Sequence, residues 1–194
     1  FSRAEAISAD GHVIVGNSES EQARPIEAFR WTRETGMVGL GFPVDGNRSA
    51  ALGVSGDGSI IVGESTNADN NTEAFRWTAE SGVVGLGFLD GAATEFSLAT
   101  DVSSDGFVIV GGSQSATGGQ AFQWCVDDGM QGLGSLPGGG SASGASGVSD
   151  DGSVIVGGAA SELANSEAYR WTEQSGMIGL GVVAGFQTSG AKDV

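Results

Sequence analysis

Short apolar runs alternate with glycine-containing polar turns along the whole chain. In the first such pattern, the sequence Ser-Ala-Asp-Gly separates Ala6-Ile7 from the apolar run Val13–Val15. An Asp-Gly pair between β-branched runs favours a hairpin, because glycine adopts a positive φ without a Cβ clash. We predict strand, turn and strand, with no helical periodicity anywhere. The predicted turn residues are Asp10, Gly11, Asp57, Gly58, Asp105, Gly106, Asp151 and Gly152.

A third strand is predicted where the sequence Glu-Ala-Phe-Arg-Trp-Thr recurs, at residues 27–32, 73–78, 167–172 and, as Gln-Ala-Phe-Gln-Trp-Cys, 120–125. Successive tryptophans lie 46, 47 and 47 residues apart, which indicates one structural unit per period. Side chains two residues apart share one face of a strand, so each aromatic residue pairs with its tryptophan. We interpret these pairs as packing between units, in preference to exposed tryptophan platforms for sugars. The predicted core residues are Phe29, Trp31, Phe75, Trp77, Phe122, Trp124, Tyr169 and Trp171.

A fourth strand is predicted at Met-Val-Gly-Leu-Gly, residues 37–41, and at its three later copies. Glycine at alternate positions leaves one face of this strand bare, which suits close approach of a neighbouring sheet or a tight central axis. Four short strands in about 47 residues are typical of a β-propeller blade. We therefore predict an all-β propeller of four tandem four-stranded blades, alone or within a larger or multi-chain array.

Counting from the serine of each Ser-x-Asp-Gly turn divides the chain into units 8–54, 55–102, 103–148 and 149–194, preceded by a partial unit, 1–7. The first strand then occurs five times and the other strands four times, because residues 188–194 align with residues 1–7. Three arrangements accommodate the fifth copy. The chain is a segment of a longer propeller, which we favour; or it is half of an eight-bladed ring closed by a second chain; or it belongs to an open array in which a terminal strand completes a neighbour.

The combination of Ser-x-Asp-Gly-x-x-Ile-Val-Gly, Glu-Ala-Phe-Arg-Trp-Thr and Gly-Met-x-Gly-Leu-Gly resembles the HAF repeats of bacterial extracellular and autotransporter-type proteins. The resemblance covers essentially the whole chain. It implies a secreted or surface repeat protein and supplies neither an activity nor catalytic residues. The pattern is also similar to WD-type blades, which supports the fold alone.

The net charge of −16, from 8 basic and 24 acidic residues, disfavours nucleic acid and anionic lipid surfaces as partners. No apolar run approaches the 18 or so residues of a membrane-spanning helix. We attribute the acidity to solubility in preference to calcium binding, since the turn aspartates lack the clustered spacing of a calcium loop. We therefore expect no metal and no other cofactor.

Catalytic chemistry has few candidates. His12 is the only histidine and occupies a position that holds Ser59, Phe107 or Ser153 in the other units. Cys125 is the only cysteine and replaces a threonine, so no intrachain disulfide forms. The third unit lacks both the Glu and the Arg of its third strand, and this joint change suggests an ion pair such as Glu73 with Arg76, formed between adjacent blades.

We predict a non-catalytic extracellular structural or adhesive module, which associates with itself through its terminal strands or with further repeats of a longer parent chain. The alternative is a lectin-like propeller that binds a glycan or another ligand with its variable loops, residues 17–26, 64–72, 112–119 and 158–166. An enzyme ranks third, because no base, nucleophile or metal set stands out from the repeat.

Overall fold

The computed structural model describes residues 1–19 and 26–194, which form sixteen β-strands and no helix. The first sheet contains β1 (Ser2–Ile7), β2 (Ile14–Ser18), β3 (Glu27–Thr32) and β4 (Gly36–Gly39). The second contains β5 (Ser49–Val54), β6 (Ile61–Thr66), β7 (Thr72–Thr78) and β8 (Gly82–Gly85). The third contains β9 (Ser97–Val102), β10 (Ile109–Ser115), β11 (Gly118–Cys125) and β12 (Gly129–Gly132). The fourth contains β13 (Ser143–Val148), β14 (Ile155–Ala159), β15 (Glu167–Thr172) and β16 (Gly176–Gly179).

Each sheet is an antiparallel meander whose strands lie side by side in chain order. The first strand of every sheet carries a register irregularity in its pairing with the second, between Ala4 and Ala6 in the first sheet. No candidate membrane-spanning helix is found in the described part of the chain. We refer to each sheet as a blade, numbered one to four.

The blades are offset by one strand from the units read in the sequence. Strand β5 lies at the end of unit 8–54 but pairs with β6 of the following unit, and β1 from the partial unit 1–7 pairs with β2. Each blade therefore takes its innermost strand from the preceding unit. This offset ties consecutive units together, because a unit cannot complete its own sheet.

Two different faces meet between successive blades. One, the aromatic face, carries the Phe or Tyr and the Trp of the third strand; the other, the alanine face, carries the alanine of the third strand and a valine of the second. The alanine face of each blade packs on the aromatic face of the next and forms one of three apolar clusters. Between blades one and two, for example, Val15 and Ala28 pack with Ile61 and Phe75. The core thus consists of three equivalent interfaces.

The variable segments are partly strand. In blade three, β10 and β11 extend to Ser115 and Gly118, so the predicted loop 112–119 is mostly a β-hairpin. Strand β6 likewise continues to Thr66, inside the predicted loop 64–72. The loop prediction was wrong there because backbone pairing tolerates polar side chains wherever both strands stay in register. In the first variable loop, residues 20–25 lie outside the described residues.

The bare glycine face of the fourth strand is covered by a side chain from the third strand of its own blade, a contact that was not predicted. It belongs to the aromatic face, since Gly85 lies opposite Phe75, and β4, β8, β12 and β16 are the last strands of their blades. A Cβ on Gly85 would collide with the carboxylate of Glu73, which folds across the strand on the aromatic face. Oε1 of Glu73 accepts a hydrogen bond from the backbone N–H of Gly87 (2.9 Å). The glycine therefore makes room for an acidic side chain that fixes the outer strand.

Replacing Glu73 with alanine should lower the free energy of unfolding by about 1–3 kcal/mol, because the N–H of Gly87 loses its acceptor. Glu73→Gln should cost less, since an amide oxygen also accepts and blade three has Gln120 at this position. Urea unfolding measures both. The same experiment with Arg76→Ala should show additive effects. An interaction energy between Glu73 and Arg76 above about 0.5 kcal/mol would instead support the predicted Glu–Arg pair.

Candidate assembly and binding surfaces

Each turn aspartate is held by a hydrogen-bond network within its own turn. Oδ1 of Asp10 accepts from the Ser8 hydroxyl (2.6 Å) and from the N–H of His12 (2.9 Å), and the Ser8 hydroxyl accepts from the N–H of Val13 (3.0 Å). Gly11 has φ +73°, which a side chain would strain. The loop between the strands is six residues long rather than a two-residue hairpin. The same bonds recur in the other three turns, at Asp57, Asp105 and Asp151.

These hydrogen bonds lower the pKa of every turn aspartate, to about 2 for Asp10 and Asp151. A carboxyl whose pKa is lower in the folded protein stabilises it above the unfolded pKa, about 3.9, and loses that effect as the pH falls through the folded pKa. We therefore expect the free energy of unfolding to fall between about pH 4 and pH 2. The hydrogen bond from the Ser8 hydroxyl is the largest cause of the lowered pKa of Asp10. At Asp151 the largest cause is the hydrogen bond from the backbone N–H of Ser153.

Urea unfolding from pH 5 to pH 2 tests this expectation on wild type and on the variant Asp10→Asn with Asp151→Asn. The variant should show a shallower fall in stability. Asp127→Asn, at an exposed site outside these turns, should leave the pH profile unchanged. Burial raises the pKa of Asp101, which acts in the opposite sense, so the difference between variant and wild type is the decisive quantity. Parallel profiles would contradict the assignment.

A serine at the start of β5, β9 and β13 joins each of these strands to the preceding blade, a role that the sequence analysis did not predict. The Ser97 hydroxyl accepts from the N–H of Ala74 (2.9 Å) and donates to the carbonyl of Gly87 (2.7 Å), both in the preceding blade. The available signal was the pattern Ser-x-Ala-x-x-Ile/Val, 46 to 48 residues apart. We call these serines the bridging serines. Equivalent bonds are made by Ser49, Ser143 and Ser189.

The arc of four blades does not close on itself. Strand packing joins each blade to the next, but no comparable packing joins blade four to blade one within the described strands. Backbone hydrogen bonds near the axis follow the same order, from Ala9 to Gly56, Gly56 to Ser104, and Ser104 to Asp150. Two blade faces are therefore left without a neighbouring blade.

The first uncovered surface is the aromatic face of blade one. Met37 is 50% exposed and Ala4 is exposed, whereas Ala51, which replaces Ala4 in blade two, is fully buried. Ile14 is half-buried, whereas Ile61 is fully buried. Phe29 remains buried and Trp31 half-buried. This face thus presents the same residue types that form the other interfaces.

The second uncovered surface is the alanine face of blade four. Leu180 is 58% exposed, whereas Leu133 at the same position in blade three is 7% exposed. Val183 is 73% exposed, whereas Leu136 is 4% exposed. In blade three these two leucines pack under Tyr169 and Trp171 of the next blade. The two uncovered faces are therefore the two halves of one kind of interface.

Of the predicted core residues, Phe75, Phe122 and Tyr169 are fully buried, and the Tyr169 hydroxyl donates to the carbonyl of Gly144 (3.2 Å). All four tryptophans are only half-buried. Trp77, Trp124 and Trp171 each pack one side against an apolar cluster between blades. Trp31 lies on the uncovered aromatic face of blade one. Trp31, Trp124 and Trp171 also line two grooves at the turn end of the blades.

The grooves have similar volumes. The groove beside Trp171, about 770 Å³, lies between blades three and four and includes Gln123, Arg170 and Glu173. The groove beside Trp31, about 760 Å³, includes His12 and Arg33. The loops 112–119 and 158–166 line a smaller space of about 280 Å³ without an aromatic side chain, and Ser18 and Glu19 of the first loop line one of about 210 Å³ beside Phe29. The two larger grooves, each with a tryptophan beside polar side chains, lie at the turn end.

The remaining candidate side chains from the sequence analysis, including His12 and Cys125, do not form a common site. Nδ1 of His12 lies 3.0 Å from Oδ2 of Asp10 at the exposed turn, and Cys125 lies 3.4 Å from a carboxylate oxygen of Asp128. No ion pair joins the Glu and Arg side chains of the third strands among the described residues. Within that part of the chain, no group of three or more His, Cys, Asp or Glu side chains is placed to hold a metal ion.

No protein-family model and no curated protein matches the chain. Among solved structures, TolB from Acinetobacter baumannii superposes with a TM-score of 0.66 at 15% identity, over 92% of this chain and 43% of that one. A protein assigned as TolB from Agrobacterium tumefaciens gives 0.59 at 17% identity, over 90% of this chain and 62% of that one. The chain has a β-propeller fold. The sequence prediction of the fold class is confirmed, and the chain spans less than two thirds of either neighbour.

Proposed function

We propose that this protein is a non-catalytic extracellular repeat module with a structural or adhesive role, which assembles with other copies of itself. The observation that carries the proposal is the pair of uncovered faces on blades one and four. Each of the three interfaces within the chain joins an aromatic face to an alanine face. The chain also displays one unused face of each kind, so the same contact is available between copies.

Uncovered apolar surface of this kind favours association. Burying apolar surface contributes about 25 cal/mol per Å², and Leu180, Val183 and Met37 together offer surface that their counterparts bury. The two faces differ, so contact between copies runs head to tail and gives either a closed ring or a filament. The net charge of −16 opposes association, so salt should strengthen it.

Light scattering combined with electron microscopy tests the proposal. A particle of at least twice 19.3 kDa that grows more populated with protein concentration and salt supports assembly. A particle of 19.3 kDa at every concentration contradicts it. Phe107→Glu, a charge added at an exposed turn residue away from both faces, is the control and should assemble as wild type does.

The secreted location rests on the HAF-like motifs. Secretion is tested by adding an epitope tag to the protein in the cells that naturally produce it and by treating those cells with protease. Degradation of the tag in intact cells supports an extracellular module. Protection of the tag in intact cells, with degradation after lysis, contradicts it.

The alternative function is binding of a glycan or another ligand. The two tryptophan-lined grooves favour it, because a half-exposed indole next to hydrogen-bonding side chains suits stacking on a sugar ring. A glycan array provides the test, with Arg170→Ala at the groove and Asn165→Ala at the variable loop. Loss of a signal only in the first assigns binding to the groove, and loss only in the second assigns it to the loops. An array without signal argues against the alternative.

A further inference from the structure

The first-strand pattern Ser-x-Ala-x-x-Ile/Val occurs five times, and the structure places all five copies around one axis. Its last residue lines the central opening of about 220 Å³ in every copy: Ile7, Val54, Val102, Val148 and Val194. Four copies are the innermost strands β1, β5, β9 and β13. The fifth, residues 189–194, belongs to no sheet. We call it the fifth first-strand segment.

This segment already has the geometry of an innermost strand. The Ser189 hydroxyl accepts from the N–H of Ala168 (2.9 Å) and donates to the carbonyl of Gly181 (2.7 Å), as the bridging serines do. Oδ1 of Asp193 accepts from the N–H of Val194 (2.8 Å), just as Oδ1 of Asp101 accepts from that of Val102. The serine bonds to the preceding blade are thus in place, and within residues 1–194 the segment is paired with no second strand.

The opposite end of the arc holds the least protected first strand. In β1 no residue is buried, whereas β5, β9 and β13 each have at least three buried residues. Among the described residues, the hydroxyl of Ser2 bonds to the hydroxyl of Ser18 in its own blade (2.8 Å) and bridges to no other blade. Strands with few buried contacts open most readily. The edge of β2 is therefore the most accessible pairing site for another first strand.

We propose that the fifth first-strand segment of one copy pairs with β2 of a second copy in place of that copy's β1. The exchange replaces one set of backbone hydrogen bonds by an equivalent set. Its gain is apolar burial, since it seats the aromatic face of the second copy's blade one on Leu180 and Val183 of the first copy. This inference rests on the proposed self-assembly and specifies its partner, a second copy, and its contact, an exchanged strand.

Cysteine crosslinking tests the exchange in a Cys125→Thr background. In the structure Arg3 lies opposite Asn17, and in the exchanged pair Gly190 takes the position of Arg3. Asn17→Cys combined with Gly190→Cys should therefore form disulfide-linked dimers on mild oxidation, because directly opposed strand residues meet the distance requirement of a disulfide. Gly190→Cys combined with Glu80→Cys, at an exposed turn away from β2, is the matched control and should remain largely monomeric on a non-reducing gel.

A second variant, Arg3→Cys with Asn17→Cys, locks β1 onto β2 within one copy. The locked protein should be at least tenfold less associated than wild type at the same concentration, and reduction of the disulfide should restore association. If wild type assembles while the locked variant assembles equally and the 17–190 pair stays unlinked, the exchange is overturned but self-assembly stands. If wild type is monomeric at every concentration and the 17–190 pair stays unlinked, both proposals fail.

Discussion

Replacing Phe122 by alanine is expected to lower the free energy of unfolding by about 3–5 kcal/mol. Phe122 is fully buried and packs in the cluster between blades two and three, against Val62 and Ala74 of the preceding blade. Truncation removes apolar contacts and leaves a cavity that the surrounding strands fill only in part. Both blades lose packing, so the change weakens an interface as well as a blade.

Urea unfolding, followed by tryptophan fluorescence and circular dichroism at a protein concentration where wild type is monomeric, measures the loss. Phe107→Ala is the matched control, since Phe107 is a phenylalanine of the same blade that is 68% exposed. Its effect should stay within about 0.5 kcal/mol. The packing described here is contradicted if the two variants unfold at the same urea concentration. Two probes are needed because repeat arrays can unfold in stages.

Replacing Ser97 by alanine is expected to cost about 2–4 kcal/mol, a large effect for the removal of one oxygen atom. Ser97 is fully buried, and its hydroxyl satisfies the N–H of Ala74 and the carbonyl of Gly87. Both groups lose a partner in the variant, and a buried polar group left without one costs about 1–3 kcal/mol. These bonds cross from blade three to blade two, so the loss should fall on the contact between blades.

Comparison with Ser135→Ala separates this effect from a general cost of losing a serine. Ser135 is exposed and belongs to the connection after blade three, so its replacement should change stability by less than about 0.5 kcal/mol. Limited proteolysis adds a second measurement. Ser97→Ala should speed cleavage in the connection between blades two and three, residues 86–96. Equal stability and equal cleavage of both variants would show that the bridging serine is dispensable.

Local features of the chain were predictable from the sequence. The repeat of Trp31, Trp77, Trp124 and Trp171 set the number of units, and alternation within each unit indicated strands. The Asp-Gly turns were located correctly because their network lies within six consecutive residues, as at Asp10. Hydrogen bonds between residues so close in the chain can be predicted from one short stretch of sequence. The fold class followed from strand count and repeat length together.

Contacts between distant residues were not predictable in the same way. The role of Gly85 depends on the carboxylate of Glu73, twelve positions earlier, and that of Ser97 depends on backbone groups 10 and 23 residues away. A glycine or serine in a strand has many explanations until its neighbours are known. The pair Glu73 and Arg76 shows the converse, because a joint change in sequence suggested a contact that the structure does not contain.

The sequence by itself determined that this protein repeats, that it is all-β, and that the sequence pattern of its first strand occurs once more than the patterns of the others. Only the tertiary structure decided where a blade begins, since it pairs β5, at the end of one sequence unit, with β6 of the next unit. It also decided that the arc stays open and that Met37 and Leu180 lie on uncovered faces. The physical reason is that the exposure of a side chain depends on whether a second surface packs against it. A repeated sequence encodes both surfaces in every unit, but the geometry of the arc determines which ones find a partner.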